Sequence, residues 1–191
     1  MLRSHVNLLS RETSQVVVVD MQEKLVAAIP SPETFIAGSR LLVEGALACG
    51  VPLTVTEQYP QGLGETIPIL RALWPENVEI RSKMTFSAVP VLNWPDVADA
   101  VDDRIQVILA GTETHLCVLQ TALDLTSLGY QVFVAVDAVG ARRTIDHETA
   151  LRRLEANGVH LVTVESVLFE WCESAASPCF AQVFTAVKAR G

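Results

Sequence analysis

Apolar positions along the chain fall into short β-branched runs separated by longer stretches with helical spacing. The clearest run is Gln15-Val-Val-Val-Val-Asp20. Four valines in succession suit a strand buried on both faces, as a parallel sheet requires. Comparable runs over residues 52–57, 78–82, 104–110, 131–136 and 160–164 predict five more strands, the third being the weakest. Between them, residues 32–49 place Phe35, Leu42, Ala46 and Cys49, and also Ile36, Val43 and Leu47, at helical spacing, with Ser31 as the expected N-cap and Gly50 as the stop. Shorter helices are predicted over residues 67–73 and 95–101, and a longer one from the turn after Gly111 to Leu128. Residues 146–157 carry one apolar stripe, Ala150, Leu151 and Leu154, and predict a helix with a solvent face. Helices over 166–172 and 180–188 close the chain. Strands alternating with helices, without repeat or linker, predict one three-layer α/β/α domain over residues 1–191. Its six-stranded parallel sheet is expected in the doubly wound order 3-2-1-4-5-6.

Composition adds two points. Half of the 191 residues are hydrophobic, 19% are charged and the mean hydropathy is +0.33, so a sheet covered on both faces, subunit burial, or both are expected. A net charge of −8 and a pI of about 4.9 argue against nucleic acid and anionic membranes as partners. No apolar run reaches the roughly 18 residues of a membrane span. The first 15 residues, with Arg3, Arg11 and Glu12, lack the apolar core of a signal peptide. Cys49, Cys117, Cys172 and Cys179 form no CxxC pair, so reduced thiols packing as small hydrophobes in the cytoplasm are the default expectation.

Candidate chemistry centres on Gly111-Thr-Glu-Thr-His-Leu-Cys117, where a β-branched run breaks into a polar turn and a helix begins. A thiol in a first helical turn meets the positive end of the helix dipole, which favours thiolate. Asp20, Lys83 and Cys117 each stand at or just after the end of a predicted strand, the first, third and fourth. In the expected order, strands one and four flank the switch point, so Asp20 and Cys117 line one crevice. Lys83 reaches in from two strand spacings away, about 10 Å. A carboxylate can take the proton of an attacking thiol, and a cation can hold both charges in place. Backbone N–H groups of Cys117 and Glu113 are the candidate oxyanion hole. Each residue also has a plainer use: a strand-ending Asp as turn former, a strand-ending Lys as solvated charge, a cysteine as packing. There is no GxGxxG or Walker-type loop and no G-x-S-x-G elbow, which removes the usual nucleotide and serine-hydrolase signatures. His115, two residues before Cys117 on a helix, points to a different face and suits a structural or pocket-rim role.

Three motifs resemble those of the isochorismatase-like cysteine hydrolases, which include nicotinamidases and carbamoylsarcosine amidohydrolases: Val16-Val-Val-Val-Asp-Met-Gln22, Lys83-Met-Thr-Phe-Ser-Ala88, and Gly111-Thr-Glu-Thr-His-Leu-Cys-Val-Leu-Gln-Thr-Ala122. The resemblance runs from about residue 15 to the C-terminus. It implies Asp20, Lys83 and Cys117 as a catalytic triad and a cis peptide between Thr112 and Glu113. It departs from nicotinamidases at Thr56-Glu-Gln-Tyr-Pro-Gln-Gly-Leu-Gly64, where their Asp/His-rich metal site would lie and no histidine occurs. No metal or other cofactor is therefore expected. True isochorismatases lack the nucleophilic cysteine, so Cys117 argues against that namesake reaction. The stretch from Glu57 to Gly64 looks most like the isochorismatase-domain-containing subgroup, and Gln22, Glu57, Gln58, Tyr59, Phe86 and Thr114 are candidate pocket positions.

The leading expectation is a hydrolase that cleaves a small amide or related C–N bond through a thioester. The alternatives are a scaffold of the same fold with little turnover, and a non-amide hydrolase of the isochorismatase type. Two apolar stripes after Cys117, one of Leu116, Leu119 and Leu123 and one of Val118, Ala122 and Leu125, favour a homo-oligomer. Expected partners are a small-molecule substrate and further copies of the chain.

Overall fold

In the computed structural model, which describes residues 8–75 and 78–190, six strands form one sheet. They are β1 (Ser14–Val19), β2 (Leu53–Gln58), β3 (Ile80–Lys83), β4 (Gln106–Thr112), β5 (Gln131–Gly140) and β6 (His160–Val162). Every pairing is parallel and the order is β3-β2-β1-β4-β5-β6, the doubly wound arrangement expected from the alternation of elements. The first seven residues of the N-terminal stretch read above as lacking a leader lie outside the described residues.

The valine run explains why the sheet is covered twice. Val16 and Val18 face one apolar layer, Val17 and Val19 the other, and all four are fully buried. The first layer is built by α2 (Glu33–Cys49), α8 (Val164–Cys172) and α9 (Phe180–Arg190), which seat Leu42, Val43, Leu168, Trp171 and Val183 beneath the sheet. The second is built largely by α6 (Leu119–Ser127) and α7 (Thr144–Ala156), with Leu119, Ala122, Leu125, Ala150 and Leu154. Four short helical turns line the edges: α1 (Glu23–Ala27), α3 (Pro60–Leu63), α4 (Pro68–Arg71) and α5 (Val89–Leu92). Both stripes after Cys117 are used inside the chain, with Leu116 and Leu123 partly buried in the same layer as Val118. Among the described residues no helix is long and apolar enough to cross a membrane.

Several boundaries differ from the sequence reading. Ser31 does not cap α2: it sits at a φ of +49°, Pro32 takes the cap position in helical conformation, and no side chain caps the helix. Gly50 does end it, in the left-handed conformation at a φ of +69°. The helix expected over 95–101 is a single 3₁₀ turn, Val97–Asp99. α8 starts two residues before Ser166, because Thr163 and Ser166 form a capping box. β5 runs to Gly140, four residues past its expected end, so Asp137 lies within the strand. The β4–β5 register shifts here, with extra residues in β5: Leu109 is opposite Val134 but Gly111 is opposite Val139.

On its other side, towards β1, the same stretch of β4 depends on one glycine. Gly111 has a φ of +123°, and a Cβ there would stand 1.9 Å from the Val19 carbonyl oxygen on β1. The two central strands thus approach at a point where only hydrogen fits. Gly111→Ala is expected to destabilise the protein by more than about 2 kcal/mol, through an unfavourable φ and a backbone clash together. A urea-unfolding midpoint within a few tenths of a molar of wild type would contradict this.

Candidate active site

β1, β2 and β3 end side by side, and their last residues supply a buried polar cluster. Asp20, just after β1, has a φ of +50°, a conformation that Asp tolerates better than most residues. Its N–H donates to the Thr56 carbonyl oxygen (3.1 Å) on β2. Lys83, the last residue of β3, reaches across β2 so that its Nζ donates to Asp20 Oδ2 at 2.6 Å, with both side chains sealed from solvent. The other carboxylate oxygen, Oδ1, accepts from Thr56 Oγ1 at 2.8 Å. Lys83 Nζ also donates to Gln58 Oε1 (2.8 Å), the Phe86 carbonyl (2.9 Å) and the Thr85 carbonyl (3.1 Å). Four acceptors surround three N–H bonds, so the ammonium is held from every side.

The thiol arrives from β4. The Thr112–Glu113 peptide is cis. The chain then forms a π-helical turn, Thr114–Val118, which leads directly into α6 and carries Cys117. Three contacts fix this turn. Thr112 Oγ1 donates to the Asp20 carbonyl oxygen (2.6 Å). Glu113 Oε1 accepts from the backbone N–H (3.1 Å) and Nε (2.9 Å) of Arg142, just ahead of α7. Thr114 Oγ1 pairs with His147 Nδ1 at 2.9 Å, and burial, against the opposing pull of Glu148, keeps that imidazole below its ordinary pKa.

The Cys117 thiol is buried beside the charges of both Asp20 and Lys83. Its pKa is pushed up to about 12, first by burial and then by the Asp20 charge, with Lys83 pulling the other way. A thiolate-favouring helix start is therefore not what this residue experiences: desolvation and a neighbouring carboxylate outweigh the turn's dipole, and the resting group is a neutral thiol. Burial also raises the Asp20 carboxyl, against the opposing effects of Lys83 and Thr56. A carboxylate with raised proton affinity next to a neutral thiol is the pairing that general-base activation needs.

The remaining pocket candidates separate into two groups. Gln22 is fully buried and its amide is engaged by backbone: Gln58 N–H donates to Oε1 (2.7 Å), while Nε2 donates to the carbonyls of Gln58 (2.9 Å) and Gly64 (2.6 Å). Glu57 Oε1 accepts from Thr66 N–H (2.7 Å) and Thr66 Oγ1 (2.8 Å). Gln58 bridges Lys83 and the Met84 carbonyl, to which its Nε2 donates (2.9 Å). Tyr59 and Phe86, by contrast, are about half exposed, with Met84 more so. His115 is partly buried, and its Nδ1 finds no hydrogen-bond partner among the described residues. Thr56, Arg142 and His147 were not singled out in the sequence. Only the register pairing of Val19 with Thr56 shows why a threonine there meets Asp20.

The doubly wound parallel sheet thus brings a carboxylate, an ammonium and a thiol together beyond the ends of its strands. The chain belongs to the isochorismatase family: the Isochorismatase domain model matches residues 14–166. It is 39% identical over 176 residues to isochorismatase domain-containing protein 2 of Bos taurus, covering 92% of this chain and 83% of that one. Among solved structures it resembles the MAR1 ribonuclease of Caenorhabditis elegans, with a TM-score of 0.86 and 35% identity over 95% of this chain and 92% of the other. The YcaC gene product of Escherichia coli, described as an octameric hydrolase of unknown specificity, shares the fold at a TM-score of 0.84 and 23% identity, covering 96% and 93% of the two chains.

The charge balance around Cys117 has a readable consequence. Because the Asp20 charge raises the thiol pKa, Asp20→Asn lowers it and increases the thiolate fraction at a given pH. Alkylation of Cys117 by iodoacetamide at pH 8 is expected to quicken several-fold in this variant. In the wild type the rate should keep climbing above pH 9 and not level off near 8. A slower reaction in Asp20→Asn would reverse the assigned sign.

Proposed function

We propose that this protein is a cysteine-dependent hydrolase of a small amide or related C–N bond, acting through a thioester. The observation that supports it is the neutral thiol of Cys117 beside the sealed Asp20–Lys83 pair. In this reading Asp20 accepts the thiol proton as sulfur attacks the substrate carbonyl. The tetrahedral oxyanion is received by the backbone N–H groups of Glu113 and Cys117, each such donor being worth about 10²–10³ in rate. Asp20 passes the proton to the leaving amine, and the C–N bond breaks to leave the thioester. Water then loses a proton to Asp20 and adds to the thioester carbonyl, and the sulfur leaves with that proton. Lys83 keeps the carboxylate oriented while its charge comes and goes. Tyr59 and Phe86, exposed beside the polar cluster, supply the apolar wall against which a small substrate is selected.

The C. elegans relative's name favours a second reading, ribonuclease activity. The net charge of −8 weighs against it, since affinity for a phosphate backbone comes from cations. The octameric description of the E. coli protein supports assembly of this chain into a homo-oligomer as well.

The deciding experiment offers a panel of small amides, ureides and esters, together with a labelled RNA, to wild type and Cys117→Ala. Ammonia or acid release from a C–N substrate is expected, falling below about one-thousandth in the variant. Quenched wild type should carry an acyl mass on the peptide containing Cys117. RNA cleavage that persists in Cys117→Ala, with no release from the panel, would sink the proposal.

A further inference from the structure

Away from the strand ends, three cysteines far apart in sequence meet at one spot. Cys49 is the last residue of α2, Cys172 the last of α8, and Cys179 immediately precedes α9. Their sulfurs all lie within 4.8 Å of one another. Cys49 Sγ is 2.7 Å from Cys179 Sγ, and Cys172 Sγ is 3.7 Å from it. The first contact is longer than the roughly 2.05 Å of a disulfide, and both cysteines are free. Ser177 Oγ also lies 3.5 Å from Cys179 Sγ. Cys179 thus sits at the centre of three potential donors, with the Arg11 guanidinium near enough to interact with it.

That setting singles out one sulfur. Burial raises the Cys179 thiol, but hydrogen bonds from Cys49, Ser177 and Cys172, with the Arg11 charge, outweigh it and hold the pKa below the ordinary value. Cys49 and Cys172 go the other way, Cys172 to about 11, so both remain thiols that donate to the same neighbour. A thiol whose pKa is lowered, in contact with a second thiol that stays protonated, is the arrangement found at oxidation-sensitive pairs. A zinc reading fits less well. Structural zinc takes four ligands, and among the described residues no fourth cysteine, histidine or carboxylate joins the three. A guanidinium beside the sulfurs also disfavours a second cation.

We propose that Cys49 and Cys179 form a reversible disulfide site that clips the start of the C-terminal helix α9 to the end of α2. The oxidant is a hydroperoxide. The Cys179 thiolate attacks one peroxide oxygen, the O–O bond breaks, and hydroxide leaves, giving a sulfenic acid on Cys179. The Cys49 sulfur then attacks the Cys179 sulfur and the S–O bond breaks. The Cys49 proton leaves with the hydroxyl as water. Two thiols lose two electrons and two protons, and hydrogen peroxide becomes two waters. Cys49 is the partly exposed member of the trio and marks the side from which a small oxidant enters. The site is separate from Cys117 and stands whether or not that thiol is a nucleophile.

Mass spectrometry of the full chain tests this. Reduced protein is treated with hydrogen peroxide, residual thiols are blocked with iodoacetamide, and the protein is digested without reduction. Trypsin leaves Cys172 and Cys179 in one peptide, so a second cleavage after Glu173 is needed to tell them apart. The expected result is a Cys49–Cys179 cross-link as the main disulfide species, lost on reduction, retained in Cys172→Ser and absent in Cys49→Ser. Full alkylation of Cys49 and Cys179 after peroxide would overturn the proposal. So would a Cys172–Cys179 bridge in wild type, or native mass spectra showing a retained zinc ion that shields all three thiols.

Discussion

The buried contact between Asp20 and Lys83 is the constraint around which the rest of the molecule is arranged. Removing two opposite charges from water costs several kcal/mol per ion, and a 2.6 Å contact recovers it only if the remaining hydrogen-bonding capacity is met. Here it is met by Thr56 on one carboxylate oxygen and by Gln58 and two backbone carbonyls on the ammonium. Those partners come from the ends of β2 and β3 and the loop that follows. The pair therefore fixes how far each of three strands extends before it turns. Gln22 adds to this from the β1 side, binding the Gln58 backbone through both ends of its amide.

The same pair decides what the thiol can be. A cysteine at the start of a regular helix, in open surroundings, would lean towards thiolate. Cys117 instead lies in a π-helical turn, out of water, with a carboxylate as its neighbour. The outcome is a proton held on sulfur, with the Asp20 carboxylate beside it. The turn itself is anchored on both sides, to β1 through Thr112 and to the entrance of α7 through Glu113 and Arg142.

Much of this was legible in the chain. Buried strands write themselves as uninterrupted β-branched runs, and their alternation with helices leaves few topologies, so the sheet order and the three strand-end residues followed. Boundaries were harder. Asp137 looked like the end of β5 because acidic residues usually close strands, yet the irregularity at Gly111 carries the pairing on to Gly140. Ser31 looked like a cap, but the turn after Pro30 requires a positive φ there. Contacts between distant side chains left no local trace at all. Arg142 and Glu113 are 29 residues apart, and Cys49 and Cys179 are 130 apart. No periodicity reports such meetings, because each side chain suits its own element without the other.

The way Lys83 is held also separates two kinds of change over evolutionary time. Two of its acceptors are the carbonyl oxygens of residues 85 and 86, which every amino acid possesses. Thr85 Oγ1 donates to the Ser87 carbonyl (2.8 Å), and the exposed side chains of Met84 and Phe86 are not what holds the ammonium. Replacements at these positions that keep the backbone path leave the ion pair untouched while reshaping the surface beside it. A lineage can therefore remodel this exposed surface without first dismantling the charged centre beneath it.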